Sequence, residues 1–168
     1  KTNGVFGETN YAYLATDNNS KEIEIVNLTT NPYSEAGYFN APGNDEGDSV
    51  FVAGNVGYMT DENKLYTFEL SSKTGSRGQL GSLNLAGDGK KVIVSGTYAY
   101  VTYYLSSTTG NVTKIRLSDN TKSTIDTGYS ESYIAFDPTG TYAYVVSETA
   151  GGIAVVKLAT TIAATSSS

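Results

Sequence analysis

The stretch TYAYVT, residues 97–102, decides the fold because three other stretches of the chain read almost the same way. They are NYAYLAT at 10–16, NVGYMTD at 55–61 and TYAYVVS at 141–147. The second aromatic residue of each word serves as an anchor, and successive anchors lie 45, 42 and 44 residues apart: Tyr13, Tyr58, Tyr100 and Tyr144. A period of this length is typical of a β-propeller blade, which contains about four strands.

Each anchor word has alternating stretches on both sides of it. The stretches that follow the anchors alternate apolar with polar or small residues and end in Leu: IEIVNL (23–28), LYTFEL (65–70), VTKIRL (112–117) and IAVVKL (153–158). Period-two alternation indicates half-buried strands, so each repeat contains a hairpin. A third set precedes the anchors, at 4–8, 49–54, 91–96 and 133–137, and a weaker fourth set follows at 35–41, 79–85 and 122–128.

These stretches predict an all-β fold, a small β-propeller of four blades with about four antiparallel strands each. We predict a single domain at 1–160, with repeats at about 1–45, 46–88, 89–129 and 130–163. The TIAA segment near the end is a candidate outer strand, and the Ser-rich tail 164–168 is expected to be disordered. One alternative is part of a larger propeller, completed by further residues or another copy. Another is a β-sandwich, which would not explain the regular period.

The Tyr-Ala-Tyr core of the word suits a strand that is packed on both sides. Successive strand residues point to opposite faces, so the two tyrosines share one face and the alanine lies on the other. We expect the rings to fill the space between diverging blades and the alanine to permit close approach on its side. An aromatic binding platform is the alternative, but a word present in all four repeats favours packing.

The composition argues against several classes of function. The 168 residues include no His and no Cys, which removes Ser-His-Asp triads, Cys nucleophiles and ordinary zinc or copper sites. The formal net charge is −6 and the arginines are Arg77 and Arg116, so neither nucleic-acid binding nor membrane contact by this domain is expected. No apolar run reaches the ~18 residues that span a bilayer, and no signal peptide is visible. Because the chain begins at Lys1, not Met, we expect a processed product, a trimmed form or the ordered part of something longer.

Three phrases of the chain resemble a known family of repeats. VFVAGNVGYMT (50–60), VIVSGTYAYVT (92–102) and FDPTGTYAYVVSETAGGIAVVKL (136–158) are similar to the LVIVD and YVTN repeats of bacterial and archaeal β-propellers. The second word departs from that pattern, because NL, EL, RL and KL replace the Asp-Leu or Asp-Val ending. The resemblance implies surface or scaffold roles and no common catalytic motif, so we expect no enzyme activity.

A narrower resemblance concerns the first half of the chain. The run from NPYSEAGYFNAPGN (31–44) through KLYTFELSSKTGSRGQLGSLNLAG (64–87) is similar to repeats that follow pilin-like helices in uncultivated, small-genome bacteria. This resemblance implies that the chain is the globular head of a type IV pilin-like protein. It also implies an extracellular or cell-surface location.

The densest acidic segment, NDEGDS at 44–49, is the candidate metal site. Its side chains Asp45, Glu46 and Asp48 lie on a Gly-bearing loop before a strand, and calcium prefers carboxylate and carbonyl oxygens on such loops. The spacing is not that of an EF-hand, and a solvated turn between blades is the favoured reading. No other cofactor is expected.

The candidate partner-binding residues are Tyr103 and Tyr104. They lie in the hairpin YVTYYLSSTTGN, break the repeat and lengthen a predicted loop. Simple loop variation explains them about as well.

Three functions remain open at this stage. The first is a non-catalytic extracellular interaction module that binds a protein or a surface glycan. The second is a carbohydrate-active or carbohydrate-binding propeller, whose hydrolytic form would need two carboxylates about 5 to 9 Å apart; the candidate acids are Glu8, Asp48, Glu131 and Asp137, and no pair stands out. The third is a purely structural filament subunit that assembles with itself.

Overall fold

The computed structural model describes residues 1–106, 109–127, 133–147 and 151–158, and all regular structure among them is β-strand. The first half of the chain forms β1 (Thr2–Gly7), β2 (Tyr11–Thr16), β3 (Ile23–Asn27), β4 (Ser34–Phe39), β5 (Ser49–Ala53), β6 (Val56–Asp61), β7 (Lys64–Glu69), β8 (Gly75–Arg77) and β9 (Gln79–Asn84). The second half forms β10 (Asp88–Ser95), β11 (Tyr98–Ser106), β12 (Thr109–Arg116), β13 (Lys122–Asp126), β14 (Tyr133–Phe136), β15 (Tyr142–Val146) and β16 (Ile153–Lys157).

The strands form four separate sheets, which we call blades 1 to 4. Their strand orders are β1-β2-β3-β4-β8, β5-β6-β7-β9, β10-β11-β12-β13 and β14-β15-β16. The first strands of the blades pack on one another in chain order, β1 on β5, β5 on β10 and β10 on β14. The predicted all-β propeller of four blades is therefore confirmed, and four sheets stacked in sequence do not form a sandwich.

Two blades depart from the predicted four antiparallel strands. Blade 1 gains a fifth strand, because β8 from the next repeat pairs parallel with β4, and Gly37 lies opposite Gly75. Blade 4 has three strands within the described residues. The TIAA segment and the Ser-rich tail 164–168 both lie outside the described residues, so the predicted outer strand stays a prediction.

Each blade has two different faces. The face that carries the anchor tyrosine is called the tyrosine face, and the opposite face, which carries the alanine of the word or Gly57 in blade 2, is called the alanine face. The tyrosine face of each of the first three blades packs on the alanine face of the next blade. Tyr13 belongs to the core between blades 1 and 2, Tyr58 to the next core and Tyr100 to the last.

Burial of the anchors confirms the packing role of the Tyr-Ala-Tyr word in three repeats. Tyr13, Tyr58 and Tyr100 are 0%, 6% and 1% exposed. Tyr144 is 45% exposed, because no fifth blade follows blade 4 in the described structure. The stack of blades therefore has covered interfaces between its blades and an uncovered tyrosine face on blade 4.

Candidate functional site

The acidic segment lies on the linker between blades 1 and 2, where its backbone is held on two sides. The N–H of Gly47 donates to the carbonyl of Thr16 at 3.0 Å, and the N–H of Asp48 donates to the carbonyl of Thr60 at 2.9 Å. A Cβ at Gly47 would lie 2.6 Å from the carbonyl oxygen of Glu22, so this close approach requires glycine. The linker is therefore packed at Gly47 and Asp48, whereas Asn44 and Glu46 are exposed to solvent.

The three predicted calcium ligands have different surroundings. Asp45 and Asp48 both repel the buried Asp61, and Lys90 attracts Asp48, whereas Glu46 interacts with Asp17. Within the described residues, no group of three or more Asp, Glu, His or Cys side chains is placed to hold a metal ion. The structure therefore does not bring Asp45, Glu46 and Asp48 together as a calcium site.

A buried carboxylate beside this linker was passed over in the sequence. Asp61, the last residue of β6, is 3% exposed, and its Oδ1 has no hydrogen-bond partner. Burial, together with charge repulsion from Asp45 and Asp48, raises its pKa to about 7. The carboxyl is thus close to half protonated near neutral pH. In the sequence, Asp61 looks like an ordinary turn residue before Glu62, and only the fold shows that the neighbouring linker covers it.

Two further carboxylates extend this acidic cluster. Glu22 is buried, and its Oε2 accepts a 2.9 Å hydrogen bond from the N–H of Ala41. Burial raises the pKa of Glu22, and burial likewise raises the pKa of Asp48. Asp61 and Glu22 are covered, so neither of these two carboxylates is open to a substrate.

The acids considered for glycoside hydrolysis have local structural roles. Glu8 accepts a 2.7 Å hydrogen bond from the hydroxyl of Tyr13 and pairs with Lys73 at 3.6 Å. Asp137 closes its own turn, because its carboxylate accepts hydrogen bonds from the N–H groups of Tyr142 and Thr139 at 2.7 Å and 3.1 Å. Glu131 lies outside the described residues.

The two tyrosines chosen as partner-binding residues lie in a strand, so their predicted placement in a loop is wrong. Both belong to β11, where Tyr103 lies opposite Asn111 and Tyr104 lies opposite Gly110. The hairpin is long because β11 and β12 pair antiparallel beyond these residues, with a register shift between Tyr104 and Ser106. Tyr103 is 2% exposed and packs near Gly87, whereas Tyr104 is 38% exposed. The pair therefore does not form a shared open surface.

Among the described residues, most of the exposed large hydrophobic side chains lie on the tyrosine face of blade 4. Strand pairing brings Tyr133, Val146 and Ile153 into one row of this face, and Tyr144 and Val155 into the next. The opposite face of the same sheet is buried against blade 3. Six large exposed side chains of the described blade share the open face: Tyr133, Tyr142, Tyr144, Val146, Ile153 and Val155.

The sequence contains a signal for this surface. In IAVVKL, apolar residues point to both sides of the strand, which is typical of a sheet that is buried on both faces. Period-two alternation alone predicts a half-buried strand and does not reveal this surface. We therefore take the tyrosine face of blade 4 as the candidate functional site.

No protein-family model matches the chain, and no curated protein matches it. Solved structures match its fold at low sequence identity. The computationally designed Ika4 protein is 8% identical, with a TM-score of 0.68 over 95% of this chain and 92% of that chain. A protein described as a 6-phosphogluconolactonase from Bacteroides uniformis is 13% identical, with a TM-score of 0.75 over 94% of this chain and 50% of that chain. Glutaminyl cyclase from Myxococcus xanthus is 13% identical, with a TM-score of 0.61 over 93% of this chain and 73% of that chain.

These likenesses show a propeller-like fold and nothing finer. The chain spans half the length of the Bacteroides uniformis structure. Two of the three structures named above carry the names of enzymes, so the fold by itself does not argue against catalysis. Within the described part of the chain, no helix is long and apolar enough to cross a membrane.

Proposed function

We propose that this chain is a non-catalytic interaction module of the cell surface, which docks on a partner protein through the tyrosine face of blade 4. The observation that supports the proposal is the exposure of tyrosine and aliphatic side chains together on that face. Contiguous apolar patches mark interaction sites on soluble proteins, and tyrosine is enriched in interface cores. The same side chains would otherwise be costly to leave in water.

The proposal that the module is non-catalytic rests on the candidate acids, which are held in hydrogen bonds or covered by the fold. Glu8 and Asp137 are held in hydrogen bonds of the fold, and Asp61 is covered. General acid–base chemistry needs a titrating group within reach of a substrate. Asp61, the acid whose pKa is raised to about 7, does not meet that condition.

The proposed location at the cell surface rests on the resemblance of the repeated sequence stretches to known families. The resemblance to LVIVD and YVTN repeats, and to the heads of pilin-like proteins, supports a module displayed outside the cell. In this proposal, the head decorates a filament and holds the blade 4 face toward a neighbouring protein. A surface glycan is the other ligand considered, because tyrosine rings also stack on sugars.

A photo-crosslinking experiment tests the proposal. Tyr144 is replaced by p-benzoylphenylalanine in the organism that encodes the chain, and products are identified by mass spectrometry after illumination. We expect a specific protein adduct at position 144. The matched control carries the same amino acid at Tyr33, which is 69% exposed on a loop outside the face. Adducts at both positions alike, or at neither, would contradict a docking role for the face.

A structural filament subunit is the second candidate function. The observation in its favour is that the stack of blades has an open face at each end: a tyrosine face on blade 4 and an alanine face on blade 1. A subunit of this kind needs contacts with itself and no foreign ligand. The identity of the adduct at position 144 separates the two candidates.

A further inference from the structure

The interfaces between blades in the described structure follow one rule, that a tyrosine face covers an alanine face. In the first, Tyr13 and Ile25 share a core with Met59 of blade 2. In the second, Tyr58 of blade 2 shares a core with Val101 of blade 3. The third interface repeats the arrangement with Tyr100 and Val145. The same type of interface therefore occurs three times within the chain.

The tyrosine face of blade 4 is this interface without its partner. Its residues occupy the same register positions as buried residues of blade 1. Tyr144 corresponds to Tyr13, because each is the anchor of its repeat, and the strand pairing then matches Val155 with Ile25 and Ile153 with Ile23. Val155 is 62% exposed, whereas Ile25 is 0% exposed.

The alanine face of blade 1 is the complementary half. Val5 pairs with Leu14 in this face, as Val50 pairs with Met59 in blade 2. Val5 is 60% exposed, whereas Val50 is 1% exposed. Ala12 and Val26 continue the face across the sheet. Both ends of the stack are therefore built as interior surfaces.

We infer that a second copy of this chain covers both open faces, so that blade 4 of each copy packs on blade 1 of the other. The inference rests on the proposed function and names the partner of the same face. Two copies related by a twofold axis form two identical interfaces, and together they make a closed ring of eight blades. Closure in this way leaves no tyrosine face or alanine face uncovered.

Two observations favour a second copy as the occupant. The contact required is the one the chain already makes three times within itself. The charges on the two faces are opposite, because Lys157 lies on the open face of blade 4 and Glu24 lies on that of blade 1.

The first test measures the mass of the chain by sedimentation velocity over a concentration series. We expect the mass to rise to twice the 17.8 kDa of one chain. Val155→Lys and Val5→Lys each place a charge in both interfaces of the twofold dimer and should hold the chain at 17.8 kDa. Both side chains are exposed in the single chain, so the variants should fold, which circular dichroism checks. The control Tyr33→Lys changes an exposed residue outside both faces and should dimerise normally.

Mixing the two variants tests the head-to-tail arrangement. In a heterodimer of Val155→Lys with Val5→Lys, both introduced lysines lie in the same interface. The second interface then has the original residues on both sides. We expect the mixture to dimerise at a concentration about tenfold or more below that needed by either variant alone. A dimer that Val155→Lys breaks and Val5→Lys leaves unchanged would overturn the arrangement, since it would join two blade 4 faces.

A chain that stays at 17.8 kDa throughout the concentration series overturns the inference. That result leaves the proposed function standing if the crosslinker at Tyr144 captures a different protein. Failure of the crosslink, with a monomer in solution, removes both. An adduct of the chain with itself at position 144 supports the inference, and a mass limited to that of two chains distinguishes the closed dimer from a filament.

Discussion

Gly57 and Phe68 are cross-strand neighbours of complementary size, because the lack of a side chain at Gly57 leaves room for the Phe68 ring. They lie opposite each other in β6 and β7, and a Cβ at Gly57 would come 2.1 Å from the Phe68 ring. The corresponding pairs in the other blades combine a small alanine with a medium-sized aliphatic residue: Ala12 with Val26, Ala99 with Ile115 and Ala143 with Val156. Blade 2 therefore replaces alanine by glycine to admit a larger ring, which stacks on Phe39 at 4.6 Å.

We predict that Gly57→Ala lowers the free energy of unfolding by about 1–3 kcal/mol, because overpacking forces the buried ring to move. Phe68→Val alone should also destabilise, since it leaves a cavity. The double variant recreates the pair found in blade 1 and should cost less than the sum of the two single changes. Urea unfolding measures all three.

The matched control for this prediction is Gly81→Ala in the same sheet. A Cβ there would meet only Thr67 Oγ1, at an ordinary 3.5 Å. Additive effects of Gly57→Ala and Phe68→Val would contradict the coupling between the two residues.

Asp61 makes the stability of the fold depend on pH. Its pKa is raised from 3.8 to about 7, chiefly by burial, so the folded chain holds a proton that the unfolded chain has lost between those values. Its stabilising contribution is complete below pH 3.8 and is lost as the pH rises through 7. We predict that Asp61→Asn flattens this decline and raises stability at pH 8 by about 1–2 kcal/mol, because no buried charge forms. Urea unfolding at pH 4, 6 and 8 checks it.

Asp137→Asn provides a control of opposite sign. Hydrogen bonds from Thr139 hold the pKa of Asp137 below its ordinary value, so its contribution is present above that value and lost as the pH falls. We expect this variant to be less stable than the parent at pH 8 and equal to it in strong acid. A parallel pH profile for Asp61→Asn and the parent chain would contradict the assignment to Asp61.

The added strand β8 joins two blades through backbone contacts. Gly37 of β4 approaches β8 so closely that a Cβ would lie 2.5 Å from the carbonyl of Gly75 and 2.7 Å from that of Lys73. Arg77 fixes the other end of β8, because its Nη1 pairs with Glu69 at 3.2 Å and donates to the carbonyl of Ser72 at 3.0 Å. The strand thus ties the outer edge of blade 1 to the repeat of blade 2.

We predict that Gly37→Ala detaches β8, because backbone carbonyls cannot rotate away from the new methyl group as a side chain would. Amide hydrogen exchange at Gly75, Ser76 and Arg77 should become faster, while the β2–β3 pairing keeps its protection. The control Gly78→Ala adds a methyl group with no neighbour within 4 Å, immediately after β8. Unchanged exchange in the Gly37→Ala chain would show that β8 pairs loosely.

The sequence predicted those elements in which side-chain pattern and strand coincide. The alternating words around Tyr58 and Tyr100 became strands of the predicted sheets. Strand β8 escaped prediction because SKTGSR has no apolar alternation and pairs through its backbone. Tyr103 was misplaced because the extension of β11 depends on its partner β12 and not on a local turn signal. The site at blade 4 was missed because it depends on what covers a face, which is a long-range property.

Across the whole molecule, the number of covered faces differs from blade to blade. Blades 2 and 3 are packed on both sides, whereas blade 4 is packed only on its alanine face. In a stack of repeats, stability is close to a sum of unit and neighbour contributions. The end blade therefore has the smaller share of stabilising contacts.

We predict that amides of β15 exchange faster than those of β6 in dilute solution, because blade 4 opens without disrupting a second interface. Raising the protein concentration should protect β15 and leave β6 unchanged, as the second copy docks on blade 4. Hydrogen exchange with mass spectrometry at two protein concentrations measures both effects. Equal protection of the two strands in dilute solution would contradict the gradient.

The match between the two end faces has a consequence for how such a gene lengthens. A duplication of one whole repeat inserts a blade whose two faces already fit their neighbours, so the ancestor needs no new contact to grow. The Gly57 and Phe68 pair shows that one blade can depart from the alanine pattern and still keep both of its faces covered. Fusing two present-day genes in tandem would repeat this step at the scale of the whole chain.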